Sequence, residues 1–245
     1  MLKKRLIITL TFKNGVLYRT KKFIPDYRYT KNFVGLFSID ELILIDISTK
    51  KFQESFLKII KFFSENCFVP ISIGGGINSV ERADLYFKSG ADKIILNSSS
   101  LNNKKIINKI EKKYGTQSII QSIDVRKSDK KFLVYCESGK KKINFEPKQA
   151  VDLSLSEGAG EILINNIDLD GSLLGYDLEM IRSVSYGFNC PFLALGGAGN
   201  WQHISELFLT TEVSAACTQN IFHFTEESIN SAKNFLKKKE INVRH

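Results

Sequence analysis

With 245 residues, 43% of them apolar, the chain is long enough for one large domain or two small ones around a real core. The formal net charge of +9 comes from short lysine runs such as Lys140-Lys-Lys142 and Lys237-Lys-Lys239. They lack interleaved aromatics or a nucleic-acid motif, so they read as solvated faces or as attraction for a small anionic substrate. No apolar run reaches the ~18 residues of a membrane span, and Met1-Leu-Lys-Lys-Arg5 leads straight into a strand. A cytoplasmic protein is expected. Cys67, Cys136, Cys190 and Cys217 are far apart and do not cluster with His203, His223 or His245. Buried free thiols are expected, with no metal site and no cofactor.

Leu6 to Thr11 reads as a first strand, followed by a turn at Asn14-Gly15 and a polar, aromatic loop from Val16 to Tyr29. A short helix is expected over Thr30 to Phe37. Leu42 to Ile47 is a second strand, apolar throughout as when both faces are covered. Apolar spacing over Phe52 to Ser64 predicts a helix. Val69 to Ile73 is a third strand, and Ser79 to Lys88 a helix capped near Asn78 or Ser79. Lys93 to Leu96 is a fourth strand, Lys104 to Lys113 a helix and Ser118 to Asp124 a fifth strand. Phe132 to Cys136 and Lys141 to Phe145 flank Ser138-Gly139 as an inserted β-hairpin. A helix runs from Pro147 to near Gly158. Strands then follow at Ile162 to Ile167, Phe192 to Leu195 and Val213 to Thr218. They alternate with helices over Asp177 to Tyr186, Trp201 to Leu209 and Glu226 to Lys238.

Two stretches organise this series. Ile71-Ser-Ile-Gly-Gly-Gly-Ile77 is echoed by Leu193-Ala-Leu-Gly-Gly-Ala-Gly199, with Gly74 and Gly196 122 residues apart. Ile45-Asp46-Ile47 and Ile167-Asp168-Leu169 keep the same offset. Each glycine turn follows a strand and opens a helix. Backbone N–H groups and the helix N-terminus together suit a phosphate there. The pattern predicts a single domain over residues 1–245, an α/β fold in which eight parallel strands close into a TIM-type barrel of two related halves.

In such a barrel the site lies at the C-terminal strand ends. Strands one and five are diametrically opposite, and a carboxylate from each would make an acid–base pair. Strand five supplies Asp124, whereas strand one ends in Thr11, which carries no titratable group at ordinary pH. Asp170 suits either an assisting carboxylate or the opening of a turn and helix start. At the other end, Arg5, Glu41, Lys93 and Glu161 each begin a strand. As residues alone they read as ordinary salt bridging at the barrel base.

Nearly the whole chain resembles the cyclase subunit of imidazole glycerol phosphate synthase. The matching stretches include Asp40-Glu-Leu-Ile-Leu-Ile-Asp46, Ile73-Gly-Gly-Gly-Ile-Asn-Ser79, Gly90-Ala-Asp-Lys93, Ser122-Ile-Asp124, Asp168-Leu-Asp-Gly171, Gly196-Gly-Ala-Gly199 and Ile221-Phe-His223. The resemblance implies a glutaminase docked on the N-terminal barrel face. Its ammonia passes through the barrel to a phosphorylated small molecule at the other face. It also implies that Arg5, Glu41, Lys93 and Glu161 form an ammonia gate. Phosphate positions carry over to Gly76, Asn97 and Ser98 in one half, and to Asp170, Gly171, Gly197 and Asn220 in the other. Gln219 and Asn220 replace smaller residues. The family's strand-one aspartate is Thr11 here, the lysine of the first loop is Arg19, and that loop is shorter. These departures resemble a branch in which barrel and glutaminase supply ammonia to a separate sugar amidotransferase of surface-polysaccharide synthesis. The alternatives are a true cyclase of histidine biosynthesis and a non-catalytic scaffold that activates its glutaminase.

Overall fold

The computed structural model describes residues 3–29, 39–48, 53–102, 105–129, 131–219 and 229–244. The helix expected over Thr30 to Phe37, the positions Asn220, Ile221, His223 and His245, and the start of the last helix lie outside them. Eight parallel strands form the barrel: β1 (Arg5–Lys13), β4 (Glu41–Asp46), β5 (Ile71–Gly74), β6 (Lys93–Leu96), β7 (Ile119–Ser128), β10 (Glu161–Asn166), β11 (Phe192–Leu195) and β12 (Ala215–Thr218). They pair in the order β10-β11-β12-β1-β4-β5-β6-β7, and β7 pairs back to β10 to close the ring. Helices α1 (Gln53–Asn66), α2 (Val80–Lys88), α3 (Ser98–Asn102), α4 (Lys105–Tyr114), α5 (Pro147–Ser156), α6 (Leu178–Ser185), α7 (Trp201–Thr210) and α8 (Ile229–Lys238) fill the connections. Among the described residues, no helix is long and apolar enough to cross a membrane.

Strand alternation sorts the side chains into two cores. Leu6, Leu10, Leu42, Leu44, Ile71 and Ile73 face outward and pack under the helices with Phe56, Ile59 and Phe63 of α1. Ile7, Ile43, Ile95, Ile120, Leu163, Leu193, Ala215 and Cys217 face inward and fill the barrel as a separate apolar cluster. Cys67, Cys136 and Cys217 are buried free thiols, and Cys190 is half-buried.

Two of the expected boundaries change. The stretch read as a loop over Val16 to Tyr29 is a β-hairpin, β2 (Val16–Lys21) and β3 (Ile24–Tyr29), with β2 antiparallel to an extended β1. Asn14 and Gly15, both at positive φ, make the two-residue turn that joins β1 to β2. The fifth barrel strand likewise runs on past Asp124 to Ser128. There it pairs with β8 (Lys131–Cys136), which pairs with the short β9 (Lys141–Lys142). Each half thus carries a hairpin on its first strand.

The ladders also refine the repeat. Leu42 pairs with Ile71 as Ile162 pairs with Phe192, and Thr11 pairs with Ile45 as Asp124 pairs with Asn165. By register, the glycine turns are therefore 121 residues apart, not 122, and Gly75 corresponds to Gly196. The helix caps agree. The Ser79 side chain accepts from the Arg82 N–H, and the Asn200 side chain accepts from the His203 N–H. Ser79→Ala is expected to cost about 1 kcal/mol, read from the urea midpoint, because the first turn of α2 loses its side-chain acceptor.

Candidate functional site

A pocket of about 540 Å³ opens at the C-terminal strand ends. It is lined by Thr11, Gly76, Asn97, Ser98, Asp124, Asp170, Gly171 and Gly197, so the candidates from both halves meet in one cavity. The glycine turns are required by close approach. A Cβ at Gly75 (φ +114°) would lie 2.1 Å from the Asp46 carbonyl oxygen, and one at Gly197 (φ +104°) 1.9 Å from the Gly175 carbonyl oxygen. Asn97 is braced from below, its Nδ2 donating to the Ser122 carbonyl at 3.2 Å. The Ser98 hydroxyl donates to Asn97 Oδ1 at 3.0 Å and accepts the Glu137 N–H at 2.8 Å. Arg82, which the sequence did not single out, brings a cation to the first turn, with its Nη2 3.4 Å from where a Gly76 Cβ would sit. Placing Ala at Gly75 is expected to cost well over ~1 kcal/mol in the urea midpoint, since both φ and space oppose it.

Asp124 is the buried carboxylate at the pocket floor. Burial pushes its pKa up to about 7, against hydrogen bonds from Ser122 and Asn165 that favour the charged form. The Ser122 hydroxyl donates to Oδ1 at 3.1 Å and Asn165 Nδ2 at 3.5 Å. A carboxyl poised near neutrality can take or give a proton at ordinary pH. The residue at the pseudo-symmetric position, Thr11, has no group that titrates in that range. Asp170 lies at the other wall, its pKa also raised by burial, and both of its carboxylate oxygens are taken by the β2–β3 hairpin. Gln219 donates its Nε2 to the Tyr18 carbonyl and so braces the same hairpin.

At the opposite end the four strand-start charges converge. Arg5 Nη1 lies 2.7 Å from Glu41 Oε1, and Arg5 Nη2 3.0 Å from Glu161 Oε2. Lys93 Nζ lies 3.3 Å from Glu41 Oε2 and 2.7 Å from Glu161 Oε1. The four side chains close a ring of alternating sign across the barrel mouth. By register Glu41 and Glu161 are symmetry mates, whereas the cations come from the non-equivalent strands β1 and β6. Burial alone would raise the Glu161 pKa, but Arg5 and Lys93 outweigh it and hold the group ionised. A fifth charge was not legible in the sequence. Val243 bridges to Lys4, just ahead of β1, the Arg244 N–H donates to the Lys4 carbonyl, and Arg244 Nη1 comes within 3.6 Å of Glu41 Oε1.

Residues 26–228 match the sequence profile of the histidine biosynthesis protein family. The chain belongs to the histidine biosynthesis protein family. It is similar throughout to proteins named imidazole glycerol phosphate synthase subunit HisF. Those of Chlorobium phaeobacteroides (strain BS1) and Chlorobaculum tepidum are each 35% identical over 254 aligned positions covering all of both chains. The Prosthecochloris aestuarii protein is 38% identical over 206, covering 84% of this chain and 82% of that one. Family membership covers the barrel as a whole. Thr11 and Asp170 both line this chain's pocket.

Proposed function

We propose that this family member is the ammonia-conducting barrel of a glutamine-dependent amidotransferase complex, supplying ammonia for amidation of a nucleotide-linked or surface-polysaccharide sugar. The observation that carries this reading is an asymmetry between the two ends of the barrel. The charge ring at the N-terminal end is complete, but the carboxylate pair at the C-terminal end has lost a member to Thr11. Above the ring, the barrel interior is the inward apolar cluster, which has no charge to trap an ammonium ion. Thr9 Oγ1 and Ser72 Oγ are buried there without a hydrogen-bond partner among the described residues, and would serve a small neutral molecule in transit. A glutaminase subunit would dock over the ring. Phe68 (99% exposed) and Tyr186 (80%) sit in the helix-to-strand connections on that face and offer it apolar contacts. Asn97, Ser98 and the Gly75–Gly76 turn would hold a phosphorylated ligand at the far end.

The names of the relatives favour a second reading, a cyclase acting on a bisphosphorylated aminoimidazole, in which Asp124 works with another acid. Purified protein given an ammonium salt and that precursor separates the two. Loss of one member of an acid–base pair forfeits ~10²–10⁴ in rate, so turnover at least that far below the Chlorobaculum tepidum protein is expected. Turnover comparable to that relative would overturn the conducting-only reading.

A further inference from the structure

The first hairpin does not stand free over the pocket. Its contacts with the loop after β10 centre on one residue, Asp170. Thr20 Oγ1 donates to Asp170 Oδ1 at 3.1 Å, Phe23 N–H to Oδ2 at 2.9 Å, and Lys22 N–H to the Asp170 carbonyl at 3.1 Å. The next residue is packed as closely, since a Cβ at Gly171 would lie 2.2 Å from the Thr20 carbonyl oxygen. From this anchorage Phe23 becomes part of the pocket wall and reaches the tip of the second hairpin, where a Cβ at Gly139 would lie 3.3 Å from its ring.

The pose is costly for the backbone. The turn residues Lys22 (φ +51°) and Phe23 (φ +65°) are both left-handed, and neither is Gly, Asn or Asp. Opposite them Glu137 (φ +54°) and Ser138 (φ +58°) are left-handed too. Such residues persist only where the surroundings over-determine them. A two-residue hairpin loop demands positive φ at both positions, so non-glycine residues there weaken the hairpin by itself and raise its need for outside contacts. Both oxygens of the carboxylate are engaged by the hairpin, one by Thr20 and one by the Phe23 N–H.

We infer that Asp170 is a positioning residue, a latch that holds the β2–β3 hairpin folded over the pocket with Phe23 as its roof. It acts on the site through the hairpin and not through the reacting atoms. This assignment stands independently of whether the barrel conducts ammonia or cyclises a substrate.

Amide hydrogen exchange on the full chain, with brief tryptic digestion, tests the latch. Asp170→Ala is expected to speed exchange at Lys22 and Phe23 tenfold or more, and cleavage after Lys21 and Lys22 by a similar factor. Amides of β5 and β6 should keep their protection. Thr20→Val removes one donor without touching the carboxylate and should give a smaller change of the same kind, adding little to Asp170→Ala. Asp170→Asn keeps one acceptor oxygen and should fall between. Unchanged hairpin protection in Asp170→Ala overturns the latch. So does an equal loss of protection across the whole barrel, or full additivity of the Thr20 and Asp170 substitutions.

Discussion

Glu161→Ala is expected to lower the free energy of unfolding by about 3–5 kcal/mol, the range for breaking a buried ion pair by removing one partner. Two cations depend on this carboxylate. Arg5 and Lys93 both lie within 3.0 Å of Glu161, and the substitution leaves them sharing Glu41 alone. Lys93→Ala should cost less. Lys93 is the most exposed of the four at 16%, and its loss leaves both carboxylates paired with Arg5 and Glu41 near Arg244 as well. Urea titration of the two single variants and the double variant measures the coupling. A loss below about 1 kcal/mol for Glu161→Ala, the value of an exposed pair, would show that the ring is solvated and loosely held. The pH dependence has a definite sign. Arg5 and Lys93 depress the Glu161 pKa below its ordinary value of 4.5, so its contribution is present above that pH and is lost as pH falls through the folded value. Because Lys93→Ala should fold, it is the variant that tests the proposed conduction. With a bound glutaminase it is expected to release ammonia to solution and uncouple glutamine hydrolysis from amidation. Normal coupling would reduce the ring to a structural plug.

The second large effect belongs to Asp124. Its pKa is raised from 3.8 to about 7, first of all by burial. Between those values the folded protein holds a proton that the unfolded chain has released, so stability falls as pH rises through this window and is level above it. Asp124→Asn removes the titration. At pH 8 the variant should be more stable than the parent by as much as roughly 4 kcal/mol, and near pH 4 the two should melt together. The amide also finds a partner, because Asn165 Oδ1 is buried beside it with no hydrogen-bond partner among the described residues. Thermal melts at both pH values check this. A variant that is less stable at pH 8 would mean that the charged carboxylate is solvated in the folded state. Such a gain would come with loss of any proton transfer at this position, the usual exchange of stability for function at a buried site.

Much of this was legible locally. Apolar runs broken by glycines located the eight strands, because a strand buried on both faces must be apolar and a phosphate-type turn must be free of Cβ atoms. The charges at the strand starts are visible too, but as residues alone they read as ordinary salt bridging, and the gate comes only from the resemblance. What escaped the sequence was whatever depends on pairing between distant segments. The stretch from Val16 to Tyr29 mixes charged and aromatic residues around Pro25, so its strand alternation is masked. It becomes a hairpin because β1 runs on past the barrel and offers it an edge. The repeat was read at a single offset, while the ladders shift by one residue between neighbouring strands.

Residue identity and short-range pattern are enough for the class of fold, the two glycine turns, and which positions carry charge or lack it, Thr11 above all. Those are properties of single residues and short periods. It takes the folded barrel to bring Arg5, Glu41, Lys93 and Glu161 onto one another, to add Arg244 from the far end of the chain, and to turn Asp170 to the hairpin. Each of those outcomes depends on the direction of a side chain relative to a segment up to 203 residues away (Glu41 to Arg244). That direction is set by closure of the barrel, which no local pattern encodes.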